Sequence, residues 1–309
     1  MIVFDLFTTD PNLGGMLPSD FDGPLPPEGS PNYFIEVDFP DGYPTDTDIL
    51  QVFQFHADWL TPAASTFTGP LILETAPFNP NLCGFAPTCI PQPGSSQKLD
   101  ALSDRLMYRL QYRNLGDHES LVMNHTVNVA PPGDNRAGIR WYELPRDVGD
   151  WSIFQQGTYA PDDGDNRWMG SVAQDSAGNI TLGFSVSGDG TFPSIRYVGR
   201  LIDDPPGTLP AGETSLIEGT GVQLHSSGRW GDYSMMALEP PDDCTFRYTQ
   251  EYYAATSSAN WQTRIGSFTF PDCAGPTRAR SPVGRRPSVN DLPIVPSGRR
   301  AVPSEERRH

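Results

Sequence analysis

Arg105, Arg167 and Arg229 stand 62 residues apart, and each opens a segment of the same kind. The segments are Arg105-Leu106-Met107-Tyr108, Arg167-Trp168-Met169-Gly170 and Arg229-Trp230-Gly231-Asp232. A long, fixed internal period is the mark of a repeated supersecondary unit, and it limits the fold more than any single motif does.

Each unit reads as four short strands. In the second, 168–173, 180–186, 195–202 and 214–217 are apolar runs or alternations, separated by Asp175-Ser176-Ala177-Gly178-Asn179 and Gly188-Asp189-Gly190. That is the strand-and-turn signal. The first unit repeats the plan over 107–112, 120–127, 139–144 and 152–159, and the third over 233–238, 245–252 and 261–270. A second arginine recurs in the third strand as Arg140, Arg196 and Arg264. A weaker unit precedes these, with 33–37, 49–55 and 69–73 as its strands. Residues 1–7 read as the last strand or two of a unit before that, and 96–110 holds the one stretch able to begin as a helical turn. Four antiparallel strands per repeat predicts an all-β chain of β-propeller blades, four to five of them visible, in a ring that need not be complete. The main rival is a β-sandwich, which does not call for a repeating unit.

The 32 prolines and 30 glycines fall between the strands, as a loop-rich β fold requires. The net charge of −17 is uneven: residues 274–309 carry +5, leaving −22 on residues 1–273. So acidic a body lacks the basic footprint of a nucleic-acid binder and disfavours anionic membranes. The sequence therefore divides into a propeller over 1–273 and an Arg/Pro-rich tail over 274–309, disordered by composition and read as a non-native extension. The four cysteines form no CxxC metal motif; Cys83 with Cys89 and Cys244 with Cys273 read as two local disulfides of an oxidising compartment. No apolar run is long enough to span a membrane, and Asp5 interrupts the only apolar N-terminal run, so no signal peptide is visible. Disulfides with no export signal predict a secreted or periplasmic parent whose N-terminal part is missing here.

The strings Asp104–Asn114, Gly157-Thr158-Tyr159-Ala160-Pro161-Asp162, Arg167-Trp168-Met169-Gly170-Ser171 and Gly228–Ser234 resemble a family of large, mostly uncharacterised secreted bacterial proteins, themselves similar to sialidase-type (BNR) propellers. The resemblance covers roughly residues 17–273 and implies fold and export more than a reaction. Sialidase-type blades carry an S-x-D-x-G-x-T-W hairpin. Ser187-Gly188-Asp189-Gly190-Thr191-Phe192 is one residue short and lacks the Trp, which argues against sialidase activity.

If first strands are innermost and second strands run back beside them, strand starts and second-strand ends share one face. That places Arg105, Arg167, Arg229, Asp232 and Tyr233 with Asn124, His125, Gln250 and Glu251 around an axial funnel. His125, Glu251, Asp232 and Tyr233 are then the candidate catalytic groups, with Arg105, Arg167, Arg229 and Asn124 holding substrate. Asp232, Glu251, Asn124 and His125 are also donors suited to a Ca²⁺ ion. The plainer reading is that the repeated arginines clamp unit to unit and that His125 is a structural strand histidine. No nucleotide loop, G-x-S-x-G or H-E-x-x-H motif is present. Two functions are consistent with this pattern: a hydrolase of an ester, phosphoester or glycosidic bond in a small molecule or glycan, with Ca²⁺ as the candidate cofactor, or a non-catalytic propeller that binds glycan or protein.

Overall fold

The computed structural model describes residues 3–8, 11, 13–39 and 47–273; the predicted tail over 274–309 lies outside them. Among these residues there are seventeen strands, three short 3-10 turns and no α-helix. Nor is there a helix long and apolar enough to cross a membrane.

Most strands form consecutive antiparallel meanders. The first is β1 (Leu17–Asp22), β2 (Asn32–Asp38), β3 (Ile49–His56) and β4 (Thr66–Glu74). A small hairpin comes next, β5 (Ile90–Gln92) and β6 (Ser95–Leu99). The second meander is β7 (Leu106–Asn114), β8 (Glu119–Asn128), β9 (Ala137–Arg146) and β10 (Gln155–Tyr159). The third is β11 (Asn166–Gln174), β12 (Ile180–Ser187), β13 (Ser194–Arg200) and β14 (Thr214–Ile217). The fourth has three strands among the described residues: β15 (Met235–Leu238), β16 (Phe246–Tyr252) and β17 (Gln262–Phe268).

The strands of the three arginine units lie within a few residues of their predicted positions. Two expectations fail. Leu6–Thr8 is a 3-10 turn and Val3–Asp5 carry no strand, while β1 has no counterpart among the predicted strands because Pro18 and two aspartates break its apolar pattern. The stretch 96–110 holds no helical turn; it is β6, a turn and β7.

Successive meanders pack face to face. One apolar cluster joins Tyr33, Ile35, Leu50 and Val52 to Leu110, Leu121, Met123 and Tyr142. A second joins Val122, Ile139 and Trp141 to Val172, Leu182, Phe184 and Val198. A third joins Ile195 and Tyr197 to Met236, Phe246, Tyr248 and Phe268. Four meanders in series are not the two layers of a sandwich. A sheet covered on both faces buries every residue, which is why all ten residues of β8 and all nine of β11 are buried.

The first strands gather together. β1 pairs in parallel with β7, fusing two meanders into one curled eight-stranded sheet, while β11 packs on β7, and β15 packs on both β11 and β7. The meeting place is polar. Arg109, 1 % exposed, donates to Asp20 at 2.9 Å, to Asp22 at 2.5 Å and to the Met236 carbonyl at 3.4 Å. Gln111 donates to Asp22 at 2.8 Å and accepts from the Gln174 N–H at 2.6 Å. Buried charge is tolerated here because each charged group has hydrogen-bonded partners. Two disulfides, Cys83–Cys89 and Cys244–Cys273, complete the described framework.

Candidate functional site

A cleft of about 610 Å³ is lined by residues 223–263 alone, so it belongs to the fourth meander and to the segment leading into it. Its far wall is β16. Phe246, Tyr248 and Gln250 are buried in the strand's alternation, and the half-buried Thr249 and Glu251 face the cleft. Thr263 of β17 stands opposite Glu251 and presents to the same side. The near wall is the non-strand run 223–233. The floor is aromatic: Trp230 donates to Ser185 Oγ at 2.9 Å and stacks on Tyr253 with ring centroids 5.8 Å apart. Trp261, 53 % exposed, and Tyr233, 47 % exposed, stand at the rim.

Glu251 is the chemically distinctive group. Burial pushes its carboxyl up to about 7, only partly offset by a hydrogen bond from the Gly231 N–H. Gly231 sits at φ +38°, and a Cβ there would stand within 2.4 Å of Gln250 Oε1. The positive φ favours glycine at this turn. A carboxylic acid that keeps a substantial protonated fraction near neutral pH, in a cleft open to solvent, can donate a proton. Asp232, the second carboxylate of the cleft, pairs with Arg229. Among the described residues, Arg229 and His225 are the only basic groups lining it.

The predicted site residues divide. Glu251, Asp232, Tyr233 and Arg229 come together in the cleft, and Arg105 interacts with Tyr233 from beside it while pairing with Asp104 at 2.6 Å. Arg167, Asn124 and His125 are elsewhere. Arg167 is 1 % exposed and binds Asp163 at 2.6 Å and Glu213 at 2.6 Å; burial opposes its charge, but the two carboxylates outweigh it and raise its pKa. His125 lies between Phe78 and Tyr142, sharing a 2.9 Å hydrogen bond with the Tyr142 hydroxyl. Burial, with the Arg140 charge second, pulls its pKa down to about 3, so it is neutral. Asn124 is fully buried against Gly170, where a Cβ would stand 2.4 Å from its Oδ1. The end of the molecule where β7, β9 and β11 begin is filled by Met107, Ala137, Trp168, Met169 and Trp230, packed on Ile90 and Leu99 of the hairpin.

The four donors considered for Ca²⁺ are thus split, two in the cleft and two in the interior. Among the described residues no group of three or more His, Cys, Asp or Glu is placed to hold a metal ion. Sequence reasoning missed Trp261, His225, Gln223 and Tyr253. For Trp261 a signal existed: it is a lone Trp in the mostly polar run Thr256–Gln262, where Ala259 is the one other apolar residue.

No family model matches the chain, and no curated protein matches it. Seven chains of solved structures do match. A Dyadobacter fermentans protein of unknown function has a TM-score of 0.32 and 10 % identity, over 82 % of this chain and 90 % of that one. An alpha-L-arabinofuranosidase from Lactobacillus brevis has a TM-score of 0.34 and 10 % identity, over 83 % and 74 %. A GH43_12 protein from the capybara gut metagenome has a TM-score of 0.34 and 12 % identity over 89 % of this chain; the match spans less than half of that protein, 45 %. These likenesses are distant, and the chain is assigned to no family.

Proposed function

We propose that residues 1–273 form a propeller-type array of stacked meanders that cleaves a glycosidic bond, with the cleft of the fourth meander as its site. The observation that carries this reading is Glu251: a half-buried carboxyl with its pKa raised to about 7, facing a cleft whose rim bears two exposed aromatic rings. Glycoside hydrolysis needs a protonated carboxyl beside the leaving oxygen and a second carboxylate nearby, here Asp232. Trp261 and Tyr233 offer flat faces to sugar rings, and the hydroxyls of Thr249 and Thr263 can bond sugar hydroxyls.

Charge narrows the substrate to an uncharged glycan. Arg229 is engaged by Asp232, Arg105 by Asp104 and Arg167 by Asp163 and Glu213, so none of the three repeated arginines is left to hold a phosphate or carboxylate. The two disulfides suit an oxidising compartment, which supports a secreted or periplasmic parent.

The test is hydrolysis of a panel of neutral, uronic-acid and sialylated oligosaccharides, beside ester and phosphoester substrates, with and without a chelator. Cleavage of neutral glycans, falling as pH rises through about 7 and abolished in Glu251→Gln, is expected. Full activity in Glu251→Gln would remove the reading. Loss on chelation would bring Ca²⁺ into the site. The exposed Trp261 also suits a glycan-binding module without chemistry; saturable binding with no cleavage of any substrate would select that.

A further inference from the structure

We propose that Gln92, in the hairpin β5–β6 and absent from the cleft lining, is the positioning residue that sets the shape of the cleft's near wall. The inference rests on the glycan reading for its functional consequence, but not for its structural content.

The near wall has no strand ladder to hold it. Its first residue, Gln223, makes only an isolated bridge to Ser257, and Leu224 to Arg229 continue without regular structure. The hairpin supplies the missing partner. Gln92 Nε2 donates to the Gln223 carbonyl at 3.0 Å, and Gln92 Oε1 accepts from the Gln223 N–H at 2.8 Å. One side-chain amide thus imitates a strand neighbour. Both residues are buried, Gln92 at 2 % exposure, so neither main-chain group can turn to water if the amide is lost. Gln92 is itself held by a second bond from Nε2 to the Gln97 carbonyl at 2.9 Å.

The restraint passes along the wall. Gln223 Nε2 donates to the Arg229 carbonyl at 2.6 Å, closing the loop that carries His225, Ser227 and Arg229. The hairpin pins the same loop once more, through the Asp100 N–H to the Gly228 carbonyl at 2.8 Å. Gly228 lies so close that a Cβ would stand 2.8 Å from the Lys98 and Pro87 carbonyls. Behind the hairpin, Cys89 N–H bonds the Leu99 carbonyl at 2.9 Å, and the Cys83–Cys89 disulfide closes that segment. Gln92 therefore lets a disulfide-braced element outside the fourth meander dictate where Arg229 and His225 stand.

The experiment compares full-length wild type with Gln92→Leu, which removes donor and acceptor together, and with Gln92→Glu, which keeps the acceptor but sets a carboxylate oxygen against the Gln223 and Gln97 carbonyls. The expected result is faster amide hydrogen exchange, by about tenfold or more, confined to residues 223–229, with the meanders unchanged. On a cleaved neutral oligosaccharide, KM should rise about tenfold while kcat changes less, in both variants. Unchanged exchange at 223–229 in both variants overturns the proposal, as does equal loss of kcat with KM unmoved. If the wild type neither binds nor cleaves any glycan, the proposed function fails by itself, and the exchange measurement still decides the role of Gln92.

Discussion

Arg167 and Arg229 occupy matching places 62 residues apart, each just before a Trp, yet one is interior and the other is surface. Arg167 is 1 % exposed and gripped by two carboxylates; Arg229 has 62 % of its side chain exposed and pairs with Asp232. The difference lies in the stretch of chain after each arginine. In the third meander β11 stays in the ladder past Arg167, with a register shift between Trp168 and Ser171, and a fourth strand exists; Glu213, immediately before β14, reaches back over Arg167 and Arg196. In the fourth meander Trp230–Ser234 stay outside the ladder, and no fourth strand comes after β17 among the described residues. Arg264 of β17 is exposed, with no ion pair among the described residues. A repeated residue becomes a clamp where a fourth strand covers its unit and lines a cleft where none does among the described residues.

The comparison breaks most sharply at Arg167. Arg167→Ala leaves Glu213 and Asp163 short of their partner and should cost about 3–5 kcal/mol in chemical denaturation; a loss under about 1 kcal/mol would place the pair with weak surface bridges and mean that the grip is not structural. Next comes the clip on the uncovered unit. Cys244 and Cys273 bracket β16 and β17 with a sequence separation of 29, and replacing both by Ser should cost about 3–4 kcal/mol by loop entropy. Equal melting of the double variant and the wild type would show the fourth meander needs no clip.

Glu251 ranks third. The folded state favours its neutral form, so its folded pKa, about 7, lies above the ordinary carboxyl value. Its contribution to stability is full below that ordinary value and is lost as pH rises through about 7. Glu251→Gln does not titrate, so it should be more stable than wild type at about pH 8, by up to about 3 kcal/mol, while losing glycan cleavage. Equal stability at about pH 5 and about pH 8 in both proteins would contradict the burial argument. The smallest effect belongs to Arg229→Ala: under about 1 kcal/mol in stability, because its ion pair is exposed, yet a measurable loss of glycan affinity by calorimetry.

Much of the architecture was legible. Period, turn residues and apolar alternation located the strands of the second, third and fourth meanders, because each is a simple run between Gly, Asp and Pro clusters. β1 was not, because its pairing with β7 is long-range and Leu17-Pro18-Ser19-Asp20 carries no apolar alternation. Site residues were legible only in part. Spacing brought Asp232, Tyr233 and Glu251 to one place, since strand starts and second-strand ends do meet within a meander. It could not tell that His125 points between Phe78 and Tyr142, or that Arg167 would be covered by Glu213, because both depend on a neighbour far along the chain. Equivalent positions in a repeat share a backbone address, and what decides accessibility is the packing around that address.

The parallel ladder between β1 and β7 has a mechanical consequence. Ser19 to Asp22 are stitched to Leu110 to Arg113 along a shared backbone seam, so the first half of the molecule cannot swing or separate without tearing main-chain bonds. Among the described residues no such seam reaches the last sheet, which leans on its neighbour through side chains and scattered bonds such as that from the Ser176 N–H to the Asp243 carbonyl at 3.0 Å, while its disulfide only closes it on itself. On gentle warming the end that carries the cleft should therefore loosen first, and the protein would lose its grip on a ligand while most of its body is still standing.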